Sequence, residues 1–213
     1  MIGVALLSGG LDSAVAAALF ARAPGNRLAL CLFFDYGQRA REPEAAASRA
    51  LAKRSGVPWQ RVALPWLGAL AAGSGSRLVE GTGPVPHGTA ARPGDSASAA
   101  AVWVPARNAV FVAAAAAHAE SLGADCVVAG FNREEAATFP DNSPAFVAAA
   151  TSFLAHGTRN GVAVVSGTLQ WDKRQIVAAA RELGLGPADF WSCYEAGPAP
   201  CGRCESCLRS RWQ

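Results

Sequence analysis

Lysine is close to absent from this chain: Lys53 and Lys173 are the only two in 213 residues. Charged residues of both signs make up 16%, and the formal net charge is +3. A balance this modest suits small anionic ligands and does not by itself argue for nucleic acid. Histidine is confined to His87, His118 and His156, with no partners at ligand spacing, which removes a His-based triad or metal site. Although 51% of residues are hydrophobic, no apolar run reaches the ~20 residues a membrane span requires. There are no internal repeats. The first residues, Ile2-Gly3-Val4-Ala5-Leu6-Leu7, read as a buried strand, so a signal peptide is not expected. Arginine and alanine are plentiful, a compositional bias that leaves abundant Arg with little functional weight. The length suits one domain with a full core.

The six cysteines fall into two groups. Cys31 and Cys126 lie inside apolar runs and read as core thiols. The others form the pattern Cys193-x7-Cys201-x2-Cys204-x2-Cys207. With no export signal, metal is favoured over a disulfide framework. Four thiolates with no open position are the signature of structural zinc; an iron–sulfur cluster is the rival.

The opening strand runs into Ser8-Gly9-Gly10-Leu11-Asp12-Ser13, and the Ala- and Leu-rich run that follows reads as a helix. Strand, Gly-Gly turn and helix start make an anion site, because the glycines admit a phosphate close to the backbone and the helix start offers unpaired N–H groups. Leu7 through Ser13, with Ala14, Val15, Ala16 and Ala17 of the first helical turns, form the candidate nucleotide-binding stretch. The loop is neither a Walker loop nor a G-x-G-x-x-G fingerprint.

Beyond it, strands are expected near 2–7, 27–34, 58–64, 125–130 and 161–165. Helices are expected near 12–22, 41–55, 107–122, 144–156 and 173–183. This alternation implies an α/β fold with a doubly wound parallel sheet. Ligands in such folds bind at the carboxyl ends of the strands. The loop, Asp35-Tyr36-Gly37-Gln38 and Gly130-Phe131-Asn132 all fall at those ends. Residues 1–190 are read as this domain and 191–213 as a metal-binding segment packed on it. The stretch 71–101, rich in Gly, Ser, Ala and Pro and containing Arg92-Pro93-Gly94-Asp95, breaks the rhythm and is expected to be a mobile flap beside the site or plain disorder.

Single residues carry weaker signals. Asp35 is placed to hold Mg²⁺ near a triphosphate, or merely to shape a turn. Arg107, opening a helix in Val104-Pro105-Ala106-Arg107-Asn108, suits a bidentate clamp or a cap. Lys173 precedes a helical run, and Asp141 or Ser143 suits capping the next helix.

Taken in order, these pieces resemble the 7-cyano-7-deazaguanine synthase family of queuosine biosynthesis, within the ATP pyrophosphatase superfamily (adenine nucleotide alpha hydrolase-like fold). The resemblance runs from the Ser8–Ser13 loop through Phe34-Asp35-Tyr36-Gly37-Gln38-Arg39, Val104–Asn108, Pro140-Asp141 and Lys173 to Trp191-Ser192-Cys193-Tyr194 and Cys201–Cys207. It implies conversion of 7-carboxy-7-deazaguanine to the nitrile with ammonia, ATP and Mg²⁺, structural Zn²⁺, and a cytoplasmic homodimer. It implies Ser8, Asp12, Ser13, Asp35, Arg107 and Lys173 as the catalytic set. Tyr36, Gln38, Asn108, Phe139 and Asp141 are the implied substrate contacts.

Two departures stand out. The family usually has Gly where Ala106 stands. It also reads differently over Glu135 to Ser143, where this chain lacks a Cys and an Arg, which opens an alternative ending at the amide or another amine adduct. The nearest rival, a transfer-RNA thiolase, needs a catalytic Cys pair or cluster at the site and an RNA-binding extension, whereas the loose cysteines here lie in apolar strands. A zinc-stabilised nucleic-acid-binding module, suggested by Arg203, Arg209, Arg211 and Trp212, leaves the phosphate loop without a purpose.

Overall fold

The structure, a computed structural model, describes residues 1–91 and 96–209. Its first strand is central: β1 (Ile2–Leu6) lies in the middle of a parallel sheet ordered β3-β2-β1-β4-β5. The elements follow as α1 (Leu11–Arg22), β2 (Arg27–Asp35), α2 (Arg41–Arg54), β3 (Trp59–Ala63), α3 (Pro65–Gly73), α4 (Ser96–Ala101), α5 (Arg107–Ser121), β4 (Cys126–Val128), α6 (Arg133–Ala136), α7 (Pro144–Gly157), β5 (Ala163–Val165), α8 (Lys173–Glu182) and α9 (Glu205–Arg209). The strands and long helices expected from the sequence are present, within a few residues at their ends. Arg211 and Trp212, and the expected turn Arg92–Asp95, lie outside the described residues.

Alternating side chains divide the core into two layers, as the two-residue period of a strand requires. Ala5, Cys31, Cys126 and Val128 face α1 and α8, meeting Ala14, Val15, Ile176 and Ala180. Val4, Leu32, Val127 and Val164 face α5 and α7, meeting Val112, Ala115, Ala116, Ala119 and Leu154. The alanines of α5 let that helix lie close against the sheet. Burial pushes the Cys31 thiol up to about 12 and Cys126 up to about 11, so both stay protonated core groups.

The sheet was entered from β1 twice, once toward β2 and β3 and once toward β4 and β5. That reversal opens a crevice at the carboxyl ends of β1 and β4, the place where such sheets bind ligands.

The stretch after α3 is packed rather than loose: Leu78, Val79 and Val85 are buried, joining Tyr36 and Val104 or the cysteine segment. It is tied down by Arg39 N donating to Leu78 O at 2.8 Å and by Gly88 N donating to Arg203 O at 3.0 Å. Its composition suggested a structureless loop, but scattered apolar side chains anchor it as a strap across the carboxyl edge.

Candidate functional site

The loop between β1 and α1 is held open by its own side chains. Ser8 Oγ and Ser13 Oγ lie 3.0 Å apart, and Ser13 Oγ donates to Gly10 O at 3.0 Å. No side chain caps the N-terminus of α1, so its first N–H groups remain available to an anion. Gly9 is at φ +84°, and a Cβ there would run into the Glu44 backbone oxygen. Gly130, after β4, is required for the same reason: a Cβ would lie 2.6 Å from Ser13 N. The loop is thus wedged between α2 and the end of β4 with room for backbone alone. From the far end of the chain, Trp191 N donates to Gly9 O at 2.8 Å.

Beside the loop is a cavity of about 270 Å³. Its wall includes Leu7, Ser8, Gly10, Leu11, Asp12 and Ser13 from the loop, and Tyr36, Gln38, Arg107, Asn108, Phe139, Asp141 and Lys173 among the other expected residues. It is closed by Glu44 and Trp103, which the sequence reading passed over, and by Asn132, Glu135, Ser192 and Tyr194, which it named only within longer motifs. Trp103 and Phe139 lie nearly parallel, 9° apart with centroids at 6.2 Å, and give the cavity a flat aromatic wall.

Lys173 Nζ donates to Asp12 Oδ2 at 2.5 Å and lies 3.6 Å from Glu135 Oε1. Burial alone would push its ammonium down, but the two carboxylates outweigh that and hold it above the ordinary lysine value. Burial conversely raises Asp12, which Lys173 only partly offsets. The local sequence explains why Lys173 points here. Asp172 and Gln175 form a capping box at the start of α8, with both bonds at 3.0 Å, fixing the first turn against the loop. Arg107 is half-buried next to the Tyr36 hydroxyl, with Asp141 and Tyr194 nearby. Burial opposes its charge, and these neighbours hold it above the ordinary arginine value. Asn108 Nδ2 donates to Asp141 O at 3.3 Å, tying the start of α5 to the Phe139–Asp141 turn.

Two expected placements need correction. Asp35 is not on the cavity wall: its Oδ2 accepts from Arg61 Nη2 at 2.7 Å and its Oδ1 from Gly37 N at 2.9 Å. A carboxylate so engaged does not fit a Mg²⁺ site beside the loop. Ala14, Val15, Ala16 and Ala17 are buried in the core rather than facing the cavity, because only the first turn of a helix meets an anion at its end. Ser143 caps α7 as expected, its Oγ accepting from Phe146 N at 3.1 Å.

The four C-terminal cysteines converge. Their sulfurs all lie within 4.8 Å of one another, with Cys193–Cys204 at 4.0 Å and Cys201–Cys207 at 3.9 Å. A tetrahedral ion with metal–sulfur bonds of about 2.3 Å sets its sulfurs about 3.8 Å apart, so one ion fits. A four-iron cluster would spread the sulfurs around its own width. Backbone donors reinforce thiolates here: Glu195 N and Cys201 N both donate to Cys193 Sγ at 3.3 Å. The segment is keyed into the domain by Arg209, which pairs with Glu205 at 2.6 Å and reaches Glu134 at 3.6 Å.

A phosphate loop at the switch point of a parallel sheet, beside a C-terminal segment whose four cysteines could hold a metal ion, defines a nucleotide-binding α/β protein. The family model described as "Queuosine biosynthesis protein QueC" matches residues 2–212, and the chain belongs to that family. Relatives named 7-cyano-7-deazaguanine synthase include one from Desulforudis audaxviator, 46% identical over 98% of this chain and 94% of its own length. Another, from Methanosarcina mazei, is 38% identical over 98% of this chain and 91% of its own. Among solved structures, the fold is shared with a U34-tRNA thiolase from Methanococcus maripaludis that carries a [4Fe-4S] cluster (TM-score 0.54, 16% identity, 94% of this chain and 61% of that one). It is shared also with a 4-thiouridine synthetase solved in complex with RNA and ATP (TM-score 0.51, 20% identity, 97% of this chain and 48% of that one). Among the described residues, no helix is long and apolar enough to cross a membrane.

Proposed function

We propose that the protein uses ATP and ammonia to convert 7-carboxy-7-deazaguanine to 7-cyano-7-deazaguanine. The observation that carries this is one cavity holding the Ser8–Ser13 loop, the cations Arg107 and Lys173, and the flat Trp103–Phe139 wall. A triphosphate and a planar heterocycle have complementary surfaces there. Family membership supports the substrate. The cavity wall contains no cysteine among the described residues, which favours an amine over sulfur transfer.

A carboxylate is a poor electrophile. Its oxygen attacks the α-phosphorus of ATP, and pyrophosphate leaves onto the N–H groups at the start of α1. Ser8 and Ser13 offer hydroxyl donors, and Arg107 offsets charge developing in the transition state. Lys173 holds Asp12 and, through it, the loop's geometry. Ammonia then displaces AMP to give the amide. Adenylation of the amide oxygen makes AMP a leaving group a second time, and loss of protons from nitrogen gives the nitrile. Zinc held by Cys193, Cys201, Cys204 and Cys207 would fix the segment that donates to Gly9 and would take no part in the chemistry. ATP supplies its own magnesium if it needs one; no protein carboxylate is assigned to it. A cytoplasmic homodimer is the assembly we infer from the family, and sedimentation of the purified chain tests the dimer.

The decisive measurement is product analysis with purified protein, the carboxylate, ATP and ammonium. AMP and pyrophosphate should form, with two AMP for each nitrile. ADP as the nucleotide product would overturn the reading. One AMP per deazapurine, with amide accumulating, would reassign the chain to the amide-forming alternative.

A further inference from the structure

The carboxylates on the cavity wall are Asp12, Glu44, Glu135 and Asp141. Asp12 and Glu135 face Lys173 directly, and Asp141 Oδ1 accepts from Asn142 Nδ2 at 3.3 Å beside Arg107. Glu44 differs. Its direct partner is an uncharged amide, Gln38 Nε2, donating to Oε2 at 3.0 Å. That amide is itself fixed, with Nε2 donating to Phe34 O at 3.1 Å and Oε1 accepting from Tyr36 N at 3.0 Å. Oε1 of Glu44 is not engaged by Gln38. The residue also abuts the phosphate loop, because its backbone oxygen occupies the space a Cβ on Gly9 would need. A rigidly held carboxylate therefore stands beside the loop on the wall of the reaction cavity, with no role in holding phosphate.

The proposed reaction needs such a group. We propose that Glu44 takes the nitrogen-bound proton when the adenylated amide collapses to the nitrile. This rests on the synthase reading above. In the step, the N–H bond breaks and its electron pair forms the third carbon–nitrogen bond. The C–O bond to AMP breaks, and its pair leaves on the AMP oxygen. The proton goes to Glu44 and from there to water.

The surroundings suit the task. The charged and titratable groups around Glu44 are Arg107 from α5, Asp35 and Tyr36 at the end of β2, and Cys193 from the C-terminal segment. Burial dominates, outweighing the Gln38 hydrogen bond and Arg107, and pushes Glu44 up to about 7. A base of that strength is ionised in part at neutral pH and still strong enough to accept a proton.

The test starts from the amide and ATP with the full-length, metal-loaded protein. It measures nitrile by mass spectrometry and, separately, amide-dependent exchange of labelled pyrophosphate into ATP, which reports adenylation alone. Glu44→Gln preserves size and a partner for Gln38. It should lower nitrile formation by about 100-fold or more, the usual scale for loss of general base catalysis, while exchange persists. The wild-type rate should rise with pH through about 7, and the Gln variant should lack that rise. Glu44→Asp should recover part of the nitrile rate. Wild-type nitrile rates in Glu44→Gln would overturn the proposal. So would a parallel fall of exchange and nitrile in both variants, which would mark a binding or structural role. Failure of the wild-type protein itself to form nitrile from the amide would instead remove the synthase reading, and the Glu44 role with it.

Discussion

Replacing Ala106 by glycine should make the protein more stable. Ala106 sits at φ 52° and ψ 21°, the left-handed region, and is the one described non-glycine residue there. It is the residue before α5, and its carbonyl accepts the first bond of that helix from Val110 N at 3.0 Å. An L-residue with a Cβ loses about 1–2 kcal/mol in this conformation. Glycine relieves that but has more freedom to lose from the unfolded chain, about 0.4–1 kcal/mol. The methyl group is exposed, so its removal leaves no cavity. The net gain is about 0.5–1 kcal/mol, which for a chain of this length raises Tm by about 1–4 °C. Differential scanning fluorimetry and urea titration measure it. Ala106→Val, with its branched Cβ, should move Tm the other way. Since the left-handed turn is retained, Arg107 stays in place and turnover in Ala106→Gly should be unchanged. An unchanged or lowered Tm in Ala106→Gly would refute the strain argument.

Cys204→Ser should cost the bound metal and with it cooperative folding, since structural zinc contributes about 10–16 kcal/mol in small peptides; metal analysis by mass spectrometry together with circular dichroism checks both. Gly9→Ala should abolish nucleotide binding more than it lowers Tm, because the loop must shift away from Glu44 in a conformation alanine resists; calorimetric titration with ATP reads it. Asp35→Asn should leave stability at pH 7 lower by about 1 kcal/mol or less and flatten its acid dependence. Burial alone would raise the Asp35 carboxyl, but the Gly37 and Arg61 bonds outweigh it and hold it below the ordinary carboxylate value. The stabilisation is therefore complete above pH ~4 and lost as pH falls through the depressed value. Urea midpoints from pH 7 down to 3 compare the two proteins.

The pattern of strands and helices was legible because each element carries its own periodic signal and its own punctuation: Pro43 inside the start of α2, Gly123 and Gly184 after α5 and α8. The phosphate loop and the cysteine knot were legible because their chemistry is packed into a few consecutive positions. What the sequence hid is what depends on long-range packing. Asp35 had the look of a metal ligand at a strand end, yet nothing local indicates that Arg61, on the neighbouring strand, would claim it. Glu44 was silent for the same reason, since its place on the cavity wall follows from how α2 docks on Gly9. The anchors of the stretch after α3 were hidden as well: Leu78, Val79 and Val85 are spaced too irregularly to announce an element, yet all three are buried.

The hydrogen bond between Trp191 and Gly9 and the contact between Lys173 and Asp12, which lie 161 residues apart in sequence, set an order on the birth of this protein. The phosphate loop leaves the ribosome well before the groups that fix its shape. At about 5–20 residues per second, the loop waits roughly 8–32 seconds for its lysine. β1 likewise gains β2 early but must wait for β4 before its other edge is covered. During synthesis the first half of the chain therefore presents a half-finished sheet with an unpaired central strand, a surface open to wrong pairing. The cavity is complete only once the segment around Trp191 and Ser192 closes on it, so a chain cut short before that segment bears a nucleotide loop without its closing wall.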